Sequence, residues 1–219
     1  MRLHRWFTIA MACGACCAIA ELACASLPDA VNCVVPPVIN ACPAGDIAYT
    51  VIVLKTDETP VNASQVVLDF SGCPGVHFCA AGPTTKYVYL TPTSVAVTSD
   101  VTGSATFWLE AGGACTTGIQ ITASEAGQPT LPVLLTDGYA HAPVSFASVD
   151  QDGDLVVTPA DAAILAGKSA TDPTADLNGD GTHNAADAAL LTAHLGHVCA
   201  SLPTPTNHKT WGQIKLIYR

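Results

Sequence analysis

Apolar residues along this chain fall into two textures. From residue 26 to about 147 they come in eight short runs rich in Val, Ile, Thr and aromatics: "DIAYTVIVLKT" (46–56), "SQVVLDF" (64–70), "KYVYL" (86–90), "SVAVTS" (94–99), "SATFWLE" (104–110), "GIQITAS" (118–124), "LPVLL" (131–135) and "APVSFAS" (142–148). Turn residues separate them in "TDETP", "SGCPG", "AGPTT", "SDVTG", "AGGAC" and "AGQP". Short strands at this spacing, with regular turn signals, predict a β-sandwich. In "IAYTVIVL" both alternating faces are largely apolar, as for a strand covered on both sides. Phe107 and Trp108 are neighbours and so point to opposite faces, which puts one of them in the core. No helical period competes here.

After residue 148 the pattern changes. "SVDQDGDLVVTPADAAILAG" (148–167) and "TADLNGDGTHNAADAALLTA" (174–193) align at an offset of 26, and "ADAAIL" recurs as "ADAALL" at the start of each helical stretch. This is an internal duplication. Eight of the 18 acids lie between Asp150 and Asp187, with only Lys168 to oppose them. In a chain that is 12% charged, carboxylates this close repel one another unless a cation sits between them.

A twelve-residue loop with oxygen donors at positions 1, 3, 5, 9 and 12, and a carbonyl at 7, wraps one Ca²⁺, a hard cation that takes about six to eight oxygens at ~2.3–2.6 Å. The second loop offers Asp176, Asn178, Asp180, the Thr182 carbonyl, Asn184 (directly or through water) and Asp187. The first offers Asp150, Asp152, Asp154, the Val156 carbonyl, Thr158 and Asp161. Gly181 occupies position 6, where the backbone turns sharply; the first loop has Leu155 there, at a cost of roughly 1–2 kcal/mol if the conformation is left-handed. Asp187 also meets the positive end of its helix. Mg²⁺, which keeps several waters, fits less well. The alternative is an acidic, solvated surface loop.

The duplicated loops, each ending in Asp and each followed by the same helix, resemble the dockerin module over Asp150 to about Gly196. The resemblance implies calcium loops of EF-hand type and docking onto cohesin domains. Positions 10 and 11, through which first-type members contact the cohesin, hold Pro159-Ala160 and Ala185-Ala186 here. They offer no side-chain hydrogen bond, so standard first-type cohesins are expected to bind weakly. Upstream, "VAVTSDVTGSATFWLEAGG" (95–113) resembles bacterial immunoglobulin-like domains of the invasin type, which implies a spacer or adhesive module.

The N-terminal residues read as a signal peptide: Arg2 and Arg5, an apolar stretch from Trp6 to Ala20, and Ala23-Cys24-Ala25 before Ser26. The remainder carries 17 acids against 6 Lys and Arg, which argues against nucleic acid and anionic membrane surfaces as partners. No other stretch is apolar enough to span a bilayer. Six cysteines remain, Cys33, Cys42, Cys73, Cys79, Cys115 and Cys199. An even number in an exported chain argues for disulfides, with Cys73–Cys79 the expected pair. His194, His197 and Cys199 could ligate a transition metal, but no fourth ligand is evident and an exposed helix end is the simpler reading. Asp69, Asp100, Glu110 and Asp137 fall in no catalytic motif.

The expected organisation is mostly β: a signal peptide (1–25), an immunoglobulin-like β-sandwich (26–147), a small α-helical dockerin-like pair of calcium loop–helix repeats (148–199) and a tail (200–219). The expected protein is secreted or at the cell surface, non-catalytic, and binds calcium at two sites for extracellular assembly, with a cohesin-type or cell-surface partner. The competing class is a carbohydrate-binding accessory of a polysaccharide-degrading system, with glycan as partner and an exposed aromatic platform as its mark.

Overall fold

The computed structural model describes residues 27–79, 86–125 and 128–199. Residues 1–25, expected to be a signal peptide, and the expected tail 200–219 lie outside the described residues. The described chain is mostly β. Its strands are β1 (Val38–Ala41), β2 (Tyr49–Ile52), β3 (Gln65–Asp69), β4 (Val76–Phe78), β5 (Val88–Thr91), β6 (Ser94–Thr98), β7 (Ser104–Phe107), β8 (Ala111–Cys115), β9 (Gln120–Glu125), β10 (Gln128–Leu134) and β11 (Ser145–Ser148). Two short helices follow, α1 (Pro159–Ala166) and α2 (Ala185–Ala193).

Three sheets form, in the orders β10-β9-β3-β6-β5, β1-β11-β8-β4 and β2-β7. All pairings are antiparallel except β1 with β11. Alternation explains the central sheet: Val66 and Leu68 of β3 are fully buried, while Gln65, Val67 and Asp69 are partly exposed. A single core gathers residues of β1, β2, β3, β6, β7, β8, β9 and β11, an arrangement consistent with a β-sandwich. Its aromatic centre is Phe70, edge-on to Phe78 at 5.3 Å and to Phe146 at 5.5 Å.

Each of the eight predicted runs contains a strand. β2 differs from expectation: Tyr49 and Val51 are buried, but Thr50 and Ile52 are partly exposed, so only one face is fully covered. Phe107 is the core member of its pair and Trp108 the exposed one. Strands β1, β4 and β8 form outside the eight apolar runs, β8 on the "AGGAC" segment that reads as a turn.

A second core lies under β1 and β11. Val38, Cys42, Ala147 and Val149 pack there with Val157, Leu165, Ala175, Leu177 and Leu191. The loop–helix repeats are therefore seated on the β-sheet, and the expected boundary at residues 147/148 falls inside β11.

The expected Cys73–Cys79 disulfide is not formed. Cys73 pairs with Cys115 and Cys79 with Cys199. Cys73 and Cys79 flank β4, and an extended strand advancing ~3.3 Å per residue carries them too far apart for a bridge, whose Cα atoms must lie within roughly 7 Å. Cys33 and Cys42 are unpaired and buried. Burial is the main cause raising both thiols, Cys42 to about 12.

Candidate functional site

Each acidic loop folds around two buried carboxylates, one at each end. Asp150, Asp161 and Asp187 are fully buried and Asp176 is 3% exposed. At such positions bare charge is costly unless hydrogen-bonded or paired. The backbone supplies the bonds in the same pattern twice. Asp150 Oδ1 accepts from Gly153 N (2.9 Å) and Oδ2 from Leu155 N (2.8 Å). Asp176 Oδ1 accepts from Gly179 N (2.8 Å) and Oδ2 from Gly181 N (2.9 Å).

The last acid of each loop repeats this logic. Asp161 Oδ1 accepts from Gln151 N (2.7 Å) and Asp152 N (3.2 Å), and Oδ2 from Thr158 N (2.7 Å). Asp187 Oδ1 accepts from Leu177 N (2.8 Å) and Asn178 N (3.1 Å), and Oδ2 from Asn184 N (2.8 Å). Thr158 and Asn184 are the helix N-caps, so Asp161 and Asp187 also complete capping boxes for α1 and α2. These side chains thus fix where each helix starts and close the loop before it.

In the first loop the carboxylates at positions 1, 3 and 5 converge, the first buried and the other two exposed. Asp150, Asp152 and Asp154 each bring one carboxylate oxygen to within 4.8 Å of the others. Burial pushes the Asp150 carboxyl up to about 7, with the Asp161 charge adding to it and the Leu155 and Gly153 amides opposing it. In the second loop Asn178 Nδ2 and Asn184 Nδ2 both donate to Asp180 Oδ2, at 3.0 and 3.1 Å, and Asn184 Nδ2 also donates to the Thr182 carbonyl at 3.3 Å. The amides supply positive polarity to the point where Asp180 and the Thr182 carbonyl converge. Asn184 Oδ1 caps α2 by accepting from Ala186 N (2.8 Å), which leaves a water-mediated role at position 9 as the better fit. Thr158 Oγ1 is likewise engaged with Ala160 N at 3.2 Å, and Val156 bridges to Val198.

An oxygen-only donor set with three to four acids per loop is the chemistry of a hard divalent cation. The residues present fit calcium. Position 6 behaves as such a loop demands: Leu155 and Gly181 have φ of 71° and 89°. Lys168 ties the two loops together by donating to Thr174 Oγ1 (2.7 Å) and to Gln151 Oε1 (2.5 Å).

The first loop is built into the β-sheet. Gly113 N donates to the Asp150 carbonyl at 2.7 Å. A Cβ at Gly112 would fall 1.8 Å from Asp150 Oδ2, and one at Gly153 would meet His77 Cδ2 at 2.9 Å. The second loop lies over β1, where a Cβ at Gly179 would come 3.5 Å from Asn40 Nδ2. Leu165 and Leu191 are the buried contacts between helices and core, while Ala188 is exposed. Pro159, Ala160, Ala185 and Ala186 are exposed.

The other candidates are engaged locally. Asp69, Asp100 and Asp137 accept from backbone amides of their own turns. Glu110 pairs with Lys86 at 2.8 Å. Among the described residues the exposed aromatics are Trp108 and Tyr139. Cys199 is held in its disulfide, but His194 and His197 gain neighbours that sequence order concealed: Asp46 and Cys42. No protein-family model, curated protein or solved structure matches the chain.

Proposed function

We propose that this is an exported, non-catalytic calcium-binding protein whose paired loops form a dockerin-like module on an immunoglobulin-like β-sandwich, serving extracellular or cell-surface assembly. The observation that carries the reading is the twofold hydrogen-bond pattern around Asp150/Asp161 and Asp176/Asp187. Four buried carboxylates held by backbone amides and opening onto further oxygen donors gain most from a cation. When bound, Ca²⁺ supplies the charge that offsets their mutual repulsion. The residues themselves fix the loop ends, start both helices and seat them on the second core. Export is supported by the basic-then-apolar N-terminal sequence and by two disulfides.

Calcium titration of the folded protein tests this reading, with calorimetry and thermal melts in parallel. We expect two sites and a melting temperature that rises with Ca²⁺ and falls with chelator. No heat and no shift at millimolar Ca²⁺ would remove the calcium assignment. The assembly role is tested separately with a panel of cohesins. Pro and Ala at positions 10 and 11 remove contacts of a kind that often contribute about 2 kcal/mol, roughly thirtyfold in affinity. First-type cohesins should therefore bind with micromolar affinity or weaker, and nanomolar binding would show that another face makes the contact.

A further inference from the structure

Cys42, Asp46, His194 and His197 come from opposite ends of the described chain and meet beside the second core. The Cys42 Sγ lies 3.5 Å from His197 Nδ1, and Asp46 Oδ2 lies 3.1 Å from His197 Nδ1 and 3.6 Å from His194 Nε2. One ligand atom each from Cys42, Asp46 and His197 fall within 4.8 Å of one another. We infer that Cys42, Asp46 and His197 form a zinc-class metal site, with His194 beside Asp46 as the side chain that can complete it, distinct from the calcium loops and tying the segment after α2 to the segment following β1.

The spacings suit the ion. Tetrahedral zinc holds nitrogen and oxygen at about 2.0–2.1 Å and sulfur at about 2.3 Å, which sets neighbouring ligand atoms roughly 3.3–3.6 Å apart. The three measured separations lie around that range; Cys42, Asp46 and His197 are already mutually close, and the His194 ring must shift to join them. Donor type gives the selectivity: one thiolate and two imidazoles favour zinc, cobalt or copper over calcium, which takes oxygen alone. With His194 swung in as the fourth protein ligand the sphere closes, the mark of a structural rather than a catalytic site.

The outer contacts point the same way. His194 Nδ1 lies 2.7 Å from the Leu190 carbonyl, which fixes the N–H on that nitrogen and turns the Nε2 lone pair towards Asp46. A ligating histidine is commonly held through its second nitrogen in this manner. His194 is the C-cap of α2, so its position is set by the helix. The His197 carbonyl accepts from Val157 N, and the Cys79–Cys199 disulfide lies two residues on; both hold the His197 segment in place. Cys42 directly follows β1, and the turn to Asp46 is closed by Gly45 N donating to the Cys42 carbonyl at 2.8 Å. The Asp46 and His197 side chains are 42% and 35% exposed, which leaves an entry for the ion. The site also gives a role to Cys42, one of the two unpaired, buried cysteines among the described residues.

Cobalt is the probe, added to the folded protein without reductant in saturating calcium. We expect one equivalent of Co²⁺ to produce tetrahedral ligand-field bands and a thiolate-to-cobalt charge-transfer band, both erased by one equivalent of Zn²⁺. His197→Gln and His194→Gln alter partly exposed side chains, and each should weaken Zn²⁺ binding at least about tenfold. Asp152→Ala, which removes an exposed proposed calcium ligand of the first loop that caps no helix, should leave the cobalt spectrum intact, so failure of the calcium reading and of this one can be told apart. Because Cys42 is buried in the second core, Cys42→Ser also perturbs packing, and the spectrum of the unaltered protein decides the thiol's role. Cobalt spectra without charge transfer, or Zn²⁺ affinity unchanged in both histidine variants, would overturn the proposal.

Discussion

Leu155 and Gly181 occupy equivalent places 26 residues apart, each with positive φ and each donating its N–H to the first carboxylate of its loop. Glycine bears that conformation without steric cost; leucine does not. Nothing lies within 4 Å of where a Cβ would stand at Gly181. Gly181→Ala therefore isolates backbone strain and should destabilise by about 1 kcal/mol. Leu155→Asn should be neutral or stabilising, since Asn tolerates this region better. Denaturant melts with unchanged m-values check both; a neutral Gly181→Ala would mean the second loop can relax out of this turn.

The thiol chemistry follows from the pairing. Without reductant, the folded protein should show little thiol reactivity, and denaturation should release the Cys33 and Cys42 thiols, both unpaired and buried. The Cys79–Cys199 bond spans 120 residues and Cys73–Cys115 spans 42. By loop-closure entropy they stabilise by at most about 5 and about 4 kcal/mol respectively. Peptide mapping under non-reducing conditions should recover these two bridges. Recovery of a Cys73–Cys79 peptide would contradict the strand between them.

Eight strands were legible because their apolar positions alternate against turn-rich breaks. β8 was not, since its sequence, "AGGAC", is needed for close approach rather than for burying large side chains. A Cβ at Gly113 would meet the Gly75 carbonyl at 1.9 Å, and one at Gly112 would strike Asp150. β4, with three residues, is too short to show a period. The acidic loops were legible because the repeat doubles the signal. The Cys42–Asp46 partnership with His194 and His197 was not, because only the parallel pairing of β1 with β11 and the return of α2 bring those segments together.

Acid should weaken the fold through its turns. Asp100 is held below the usual carboxylate range chiefly by the Thr102 hydroxyl, with the Thr102 and Ser104 amides adding to it. The Ala140 and Tyr139 amides do the same for Asp137. A lowered folded pKa means the unfolded chain binds more protons, so this stability is present above about pH 4 and lost as pH falls through the folded values. Melting temperature should drop from about pH 4 downwards. Asp100→Asn, which cannot titrate, should flatten the drop, and an identical slope in the variant would exclude this turn as a contributor.

Gly112 tests whether the first loop depends on the sheet beneath it. Its missing side chain leaves room for the Asp150 carboxylate, and Gly113 N holds the Asp150 carbonyl beside it. Gly112→Ala puts a methyl group 1.8 Å from Asp150 Oδ2. The carboxylate must then move, loosening its bonds from Gly153 N and Leu155 N. Each buried amide left without a partner costs about 1–3 kcal/mol, so a loss of at least about 2 kcal/mol is expected. The second loop lies over β1 and touches none of these groups through its carboxylates. Calorimetry on the variant should therefore show one calcium site weakened and the other kept. Loss of both would mean that the loops bind as one unit, coupled through Lys168 and its bonds to Gln151 and Thr174. Retention of both, with unchanged stability, would show that Asp150 moves aside freely and that the sheet does not position the loop.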